Sequence, residues 1–139
     1  MSELNRVNPE LMRGLTNMTN MDARYGLLEH GRTMLANKRK GKDEEIIAWA
    51  KDRNLYVYIG DGSGYAKEKR SVWHNPYNIK KHKITRERAV AEYREYLFRS
   101  PELLSRIDEL RGKLLVCWCY PKPCHGNVLI EFLNEKDAT

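Results

Sequence analysis

All three cysteines of the chain, Cys117, Cys119 and Cys124, fall within eight residues, and His125 follows at once. They lie in Leu114-Leu-Val-Cys-Trp-Cys-Tyr-Pro-Lys-Pro-Cys-His-Gly-Asn-Val-Leu-Ile-Glu-Phe-Leu133, which reads as a buried strand, a proline-stiffened loop and a helix. Four roles fit these side chains. Cys117, Cys119, Cys124 and His125 together supply the donors of a zinc site with three thiolates and one imidazole. The spacing is tighter than the separated cysteine pairs of zinc ribbons, and two prolines interrupt it. Cys124 at a helix start, beside Lys122 and His125, would be a thiolate nucleophile of lowered pKa. Backbone N–H groups of Gly126, Asn127 and Val128 at that helix start, with Lys122 and His125 nearby, form an anion site. The fourth role is structural, because buried thiols are ordinary core residues. The anion site is the expectation carried forward, with zinc as the alternative and no cofactor assigned.

Two further stretches carry chemistry. Asn54-Leu-Tyr-Val-Tyr-Ile-Gly60 reads as a strand from its aromatic and β-branched content. It runs into Asp61, Gly62, Ser63 and Gly64, a turn in which backbone N–H groups can approach a ligand closely. No Gly-Lys-Ser/Thr follows, so this is not a Walker loop. Between Tyr65 and Lys83 a polar, basic loop holds Ser71-Val-Trp-His-Asn-Pro-Tyr-Asn78. Long loops in small domains are frequently functional. Here Trp73 would stack on a ring while His74 and Asn75 orient the ligand. The competing reading pins the loop to the core through Trp73 and Tyr77.

The elements that must position these residues follow from periodicity. Residues 1–32 read as an N-terminal helical extension, with apolar residues at 11, 12, 15, 18 and 21 on one helical face. This extension packs on the body, supplies an oligomer contact or forms a lid over the site. Thr33–Asn37 is a short strand, and Lys38-Arg-Lys-Gly-Lys42 a basic turn. Asp43 is placed to N-cap a helix with Ile46, Ile47, Trp49 and Ala50 inward. Thr85 caps the next helix, Arg86–Arg99. Ser100-Pro101-Glu102 starts another, which Gly112 is placed to end. Residues 135–139 are read as a frayed tail.

Strands alternate with helices, so the fold class is α/β: a single small domain, a mixed or partly parallel sheet covered by helices. The ligand-binding domain spans 33–134. In such sheets ligands sit beyond the carboxyl ends of the strands. Gly60–Gly64 and the 119–125 loop both follow strand ends, which places them at one sheet edge.

With 139 residues, 41% hydrophobic and 32% charged, the chain suits one globular domain. Clustering and odd number argue against a disulfide framework. No apolar run of about 20 residues is available to cross a membrane, and the first residues do not read as a signal peptide. The expected location is cytoplasmic. Net charge +6, from 25 basic and 19 acidic residues, favours an anionic partner.

Tyr56-Val-Tyr-Ile-Gly60, Ser71-Val-Trp-His-Asn-Pro-Tyr77, Arg86-Glu-Arg-Ala-Val-Ala-Glu-Tyr-Arg-Glu-Tyr-Leu97, Glu109-Leu-Arg-Gly-Lys113 and Cys117-Trp-Cys-Tyr-Pro-Lys-Pro-Cys-His-Gly126 resemble the family called domain of unknown function 4326, over residues 33–134. The resemblance implies occurrence in bacteria and phages. His74 stands where the family usually has Gly, and the helix around 43–53 looks like an insertion.

The leading expectation is a binder of a small anionic nucleotide or ADP-ribose-like ligand. A phage sponge that sequesters a host immune nucleotide is its concrete form. An enzyme hydrolysing or transferring a glycosidic bond, with Asp61 or Glu131 as base, ranks below it because no paired carboxylates are evident. A zinc or nucleic-acid-binding module is the remaining alternative. Its basic runs lack a helix-turn-helix or zinc-finger pattern.

Overall fold

The computed structural model describes residues 21–62 and 67–138. Ten elements follow in order: helix α1 (Met21–Glu29), strand β1 (Met34–Asn37), α2 (Glu44–Asp52), β2 (Tyr56–Tyr58), α3 (Ile79–His82), α4 (Arg86–Phe98), α5 (Pro101–Leu104), a 3₁₀ turn (Ile107–Leu110), β3 (Leu114–Cys117) and α6 (His125–Ala138). The helix read over 9–21, and Ser63 and Gly64 of the glycine turn, lie outside the described residues, apart from Met21.

The expected mixed or partly parallel sheet is parallel throughout. β3 lies in the middle, in the order β1-β3-β2. Met34 pairs with Leu114 and Asn37 with Cys117 on one side; Tyr56 pairs with Leu114 and Tyr58 with Val116 on the other. Every residue of β1 and β3 is buried, as the apolar density of 114–117 requires of a strand covered on both faces. Side chains alternate. Met34, Ala36, Leu114 and Val116 join Leu28, Ile46, Ile47 and Ala50 beneath α1 and α2. Leu35, Leu115 and Cys117 join Tyr93, Leu97, Val128, Leu129 and Leu133 beneath α4 and α6. The result is helix pair, sheet, helix pair.

The N-terminal extension is thus partly integral. Leu28 of α1 enters the core. Arg24 is fully buried: its guanidinium donates to Asp43 Oδ1 at 2.9 Å and to the Leu35 carbonyl at 2.8 Å, over the Tyr120 ring. Asp43 precedes α2 but makes no side-chain cap. Its carboxylate is taken by Arg24 and by the Asn37 N–H at 2.7 Å, partners in a buried setting that outweigh an exposed helix end.

α4 begins as expected, with Thr85 Oγ1 accepting from the Arg88 N–H. The helix read from Pro101 stops after one turn. Ser105 Oγ donates to the Glu102 carbonyl at 2.7 Å, a local bond that competes with helix propagation. The chain then tightens into the 3₁₀ turn and leaves through Gly112 at φ +74°. α6 runs through residues 135–138 of the expected tail, where Lys136 pairs with Asp108 and Arg111 with Asp137.

Candidate functional site

Two neighbouring strands, β2 and β3, deliver their C-terminal ends to one edge of the sheet. A cavity of about 360 Å³ opens there. Its floor is Cys117, Cys119, Cys124 and His125. One wall is the start of α4, Arg86, Ala89 and Val90, and the other is the loop from Asn75 to Lys80. Gly60 and Asp61 close the β2 side, with Trp118 beside them. The convergence expected of the two strand-end loops is therefore present.

Helix α6 starts at this cavity, and its first turn is built for close packing. A Cβ on Gly126 would come within 2.5 Å of Leu35 Cδ2 and 3.0 Å of Ile59 Cδ1. Gly126 accordingly serves the helix–sheet contact and is absent from the cavity lining. Asn127 Oδ1 accepts from the Cys124 N–H at 3.0 Å, and the Asn127 N–H donates to the Cys124 carbonyl at 3.0 Å. This reciprocal cap fixes Cys124 and occupies the Asn127 N–H that the sequence reading offered to a ligand. His125 is buried, and its Nε2 lies 2.6 Å from the Ile59 carbonyl. A carbonyl only accepts, so Nε2 carries the proton and donates. Burial lowers the His125 pKa from 6.5, against the opposing pull of the Ile59 carbonyl and Cys119.

The three sulfurs form one cluster. Cys117 and Cys124 are 2% and 3% exposed, with Sγ atoms 3.3 Å apart. Cys119 shares their face, as its spacing from Cys117 predicts, but is only partly covered. Hydrogen bonding with Cys117, then with Cys124, holds the Cys119 thiol well below the ordinary range, and the Arg86 guanidinium adds to this. Hydrogen bonding with Cys119 and burial raise Cys117, against the opposing bond with Cys124, and hydrogen bonding with Cys117, then with Cys119, and burial raise Cys124. Of the three thiols, Cys119 is therefore the one whose ionised form is favoured. Among the described residues no group of three or more His, Cys, Asp or Glu is arranged to hold a metal.

The loop after β2 is anchored by the residues first assigned to ligand contact. Trp73 is 3% exposed and lies in the core, where its carbonyl accepts from Tyr93 Oη at 2.8 Å. Its ring is not on the cavity wall; Tyr77 and Trp118 are the aromatic residues there. His74 Nδ1 meets the Ser71 carbonyl at 2.8 Å. Asn75 does line the cavity, while its amide donates to the Ala89 carbonyl and its Oδ1 accepts from the Tyr77 N–H. Gly62, at φ +95°, donates its N–H to Tyr58 Oη, which also accepts from Trp118 Nε1. Lys122 is exposed in the proline loop and outside the lining. Asp61 is on the wall, paired with Arg70 at 2.6 Å.

Arg86 escaped the sequence reading as a site residue. It is the first residue of α4, and its Nη1 donates to the Pro123 carbonyl at 3.3 Å. A basic residue one position after an N-cap carries no functional signal. Only the closure of the Cys loop onto α4 gives it a role. Lys80, from the polar, basic loop read over 65–83, also reaches the lining.

Fold and site together define a small parallel α/β domain with a cavity at the strand ends. Residues 36–135 match the family described as Domain of unknown function (DUF4326), and the chain belongs to that family. No curated protein and no solved structure matches it.

Proposed function

We propose that the strand-end cavity binds a small anionic, nucleotide-type ligand. The observation that carries this reading is the joint presence of Arg86 and Lys80 around one cavity of about 360 Å³. A guanidinium and an ammonium both favour an anion such as a phosphate. The size lies within the range of small-molecule sites. Tyr77 and Trp118 offer ring faces for a base, and the Asn75 and Asn78 amides line the same wall. Asp61, the one carboxylate among the described lining residues, is offset by Arg70.

Binding without turnover fits this wall better than glycosidic hydrolysis does. A glycosidase uses two carboxylates flanking the bond. Glu131, the second carboxylate considered, is held by Arg94 at 3.0 Å and is not in the lining. Sequestration of a signalling nucleotide by a phage-borne member of the family is the biological form of this proposal.

Native mass spectrometry of freshly purified protein, with a thermal-shift panel of nucleotides, tests it. The expected result is an anionic ligand released intact on denaturation and unchanged after long incubation. Arg86→Gln is expected to weaken binding by about 10–100-fold, the worth of a hydrogen bond to a charged group. No bound ligand, together with no thermal shift from any nucleotide, overturns the reading.

A further inference from the structure

The cavity floor carries an arrangement that ligand binding does not use. Three cysteines line it, of which Cys119 is partly exposed while Cys117 and Cys124 are buried. We infer that Cys119 is an attacking thiol, that Cys124 is its resolving partner, and that the pocket carries out thiol–disulfide exchange with a low-molecular-weight disulfide bearing an anionic group. The choice of an anionic substrate rests on the anion-binding reading of the pocket.

Three geometric facts support it. Cys119 is the thiol of the cluster that a substrate in the cavity can reach. Arg86 shares the cavity wall with Cys119 and is tied to the proline loop through the Pro123 carbonyl, near enough to favour a thiolate and to receive the substrate's anionic group. Cys124 contacts Cys119 from across the proline loop and is fixed at its own backbone by Asn127. Cys117 is the poorer resolver. It also contacts Cys119, but it is held in β3 only two residues back, where a disulfide would close a small, strained ring. Its contact with Cys124 at 3.3 Å instead supports that side chain.

The chemistry balances without an outside oxidant. The Cys119 thiolate attacks one substrate sulfur; the protein–substrate S–S bond forms, the substrate S–S bond breaks, and the first half leaves as a thiolate. Cys124 then loses its proton to solvent and attacks Cys119 Sγ. The second half leaves as a thiolate, and a Cys119–Cys124 disulfide remains. The substrate disulfide gains two electrons and the protein dithiol loses them.

Two probes test this on the full chain: dithiobis-nitrobenzoate, which is dianionic, and dithiodipyridine, which is neutral. The wild type is expected to release two equivalents of chromophore from the dianionic probe and to retain no adduct. Peptide mapping of the oxidised wild type should find the Cys119–Cys124 bond, a readout that needs no variant to fold. Cys119→Ser should slow the first release by at least about tenfold with either probe. Cys124→Ala should release one equivalent and keep the other half bound on Cys119. Arg86→Gln should slow the dianionic probe more than the neutral one.

Cys119→Ser reacting as fast as wild type overturns the inference and leaves the anion pocket untouched. Equal wild-type rates for the two probes, with Cys119→Ser slow for both, overturn the anionic substrate class and the pocket reading behind it. A second equivalent released by Cys124→Ala overturns Cys124 as the resolving thiol. Reaction of the wild type only after a chelator is added overturns the proposal in favour of a metal centre.

Discussion

The imidazole of His125 donates to the Ile59 carbonyl and meets the Tyr93 ring edge-on at 5.0 Å between centroids. Cys119 and His74 are the other titratable groups near it. Burial is the dominant influence, and it keeps the ring neutral below its ordinary pKa of 6.5. A group whose folded pKa is depressed contributes stability above its unfolded pKa and loses it as pH falls, because the unfolded chain takes up a proton that the native state refuses. The protein should therefore lose stability from this residue as pH falls below 6.5, at no more than about 1.4 kcal/mol per pH unit. His125→Gln places an uncharged donor near the Nε2 position and should flatten that slope, as read from urea midpoints at a series of pH values. An unchanged slope would show that His125 is not the group responsible. At this scale the sequence was legible in part. Four clustered Cys and His residues marked the site, but which sulfur faces outward was hidden. A helix start suggested Cys124 as the thiolate, whereas Cys124 is buried and Cys119 is the more exposed thiol at the cavity.

Elements were easier to foresee than their joints. The β3 run and the cap at Thr85 follow from local pattern, and both are present, whereas Gly112 follows the 3₁₀ turn and does not end the helix read from Pro101. Trp73 shows where pattern stops. A tryptophan in a polar loop fits equally well on a ligand or in a core, and only the third dimension, with Tyr93 beneath it, decides for the core. Asp43 and Gly126 make the same point. Each stands at a helix start, yet Asp43 serves Arg24 and the Asn37 N–H, and Gly126 serves the contact between α6 and the sheet. For Gly126→Ala two effects compete. Helix propensity gains up to about 1 kcal/mol, while a methyl forced against Leu35 and Ile59 costs about 1–3 kcal/mol. The second should win, because both neighbours are fully buried and have little room to shift. A net loss of about 1–2 kcal/mol in the denaturant midpoint is expected. A stabilised variant would mean that the α6 packing is looser than these distances indicate.

At the scale of the whole molecule, the middle strand couples everything. β1 and β2 each pair with β3, and among the described strands they do not pair with one another. β3 also feeds the apolar clusters on both faces, Leu114 and Val116 to one, Leu115 and Cys117 to the other. Loss of either helix layer therefore exposes a face of the strand that holds the sheet together. The tryptophans sit well for testing this coupling. Trp49 of α2 packs edge-on against Tyr25 of α1, while Trp73 lies in the opposite cluster beside Tyr93. Single-tryptophan variants retaining Trp49 or Trp73 should report coincident urea midpoints, the mark of a two-state domain. A chain ending at Gly112 lacks β3 and α6, and with them both strand pairings and the cavity floor. It should show no cooperative transition at either tryptophan. A cooperative Trp49 transition in that truncated chain would mean that α1, β1 and α2 hold together without the middle strand, contrary to a sheet whose only described pairings run through it.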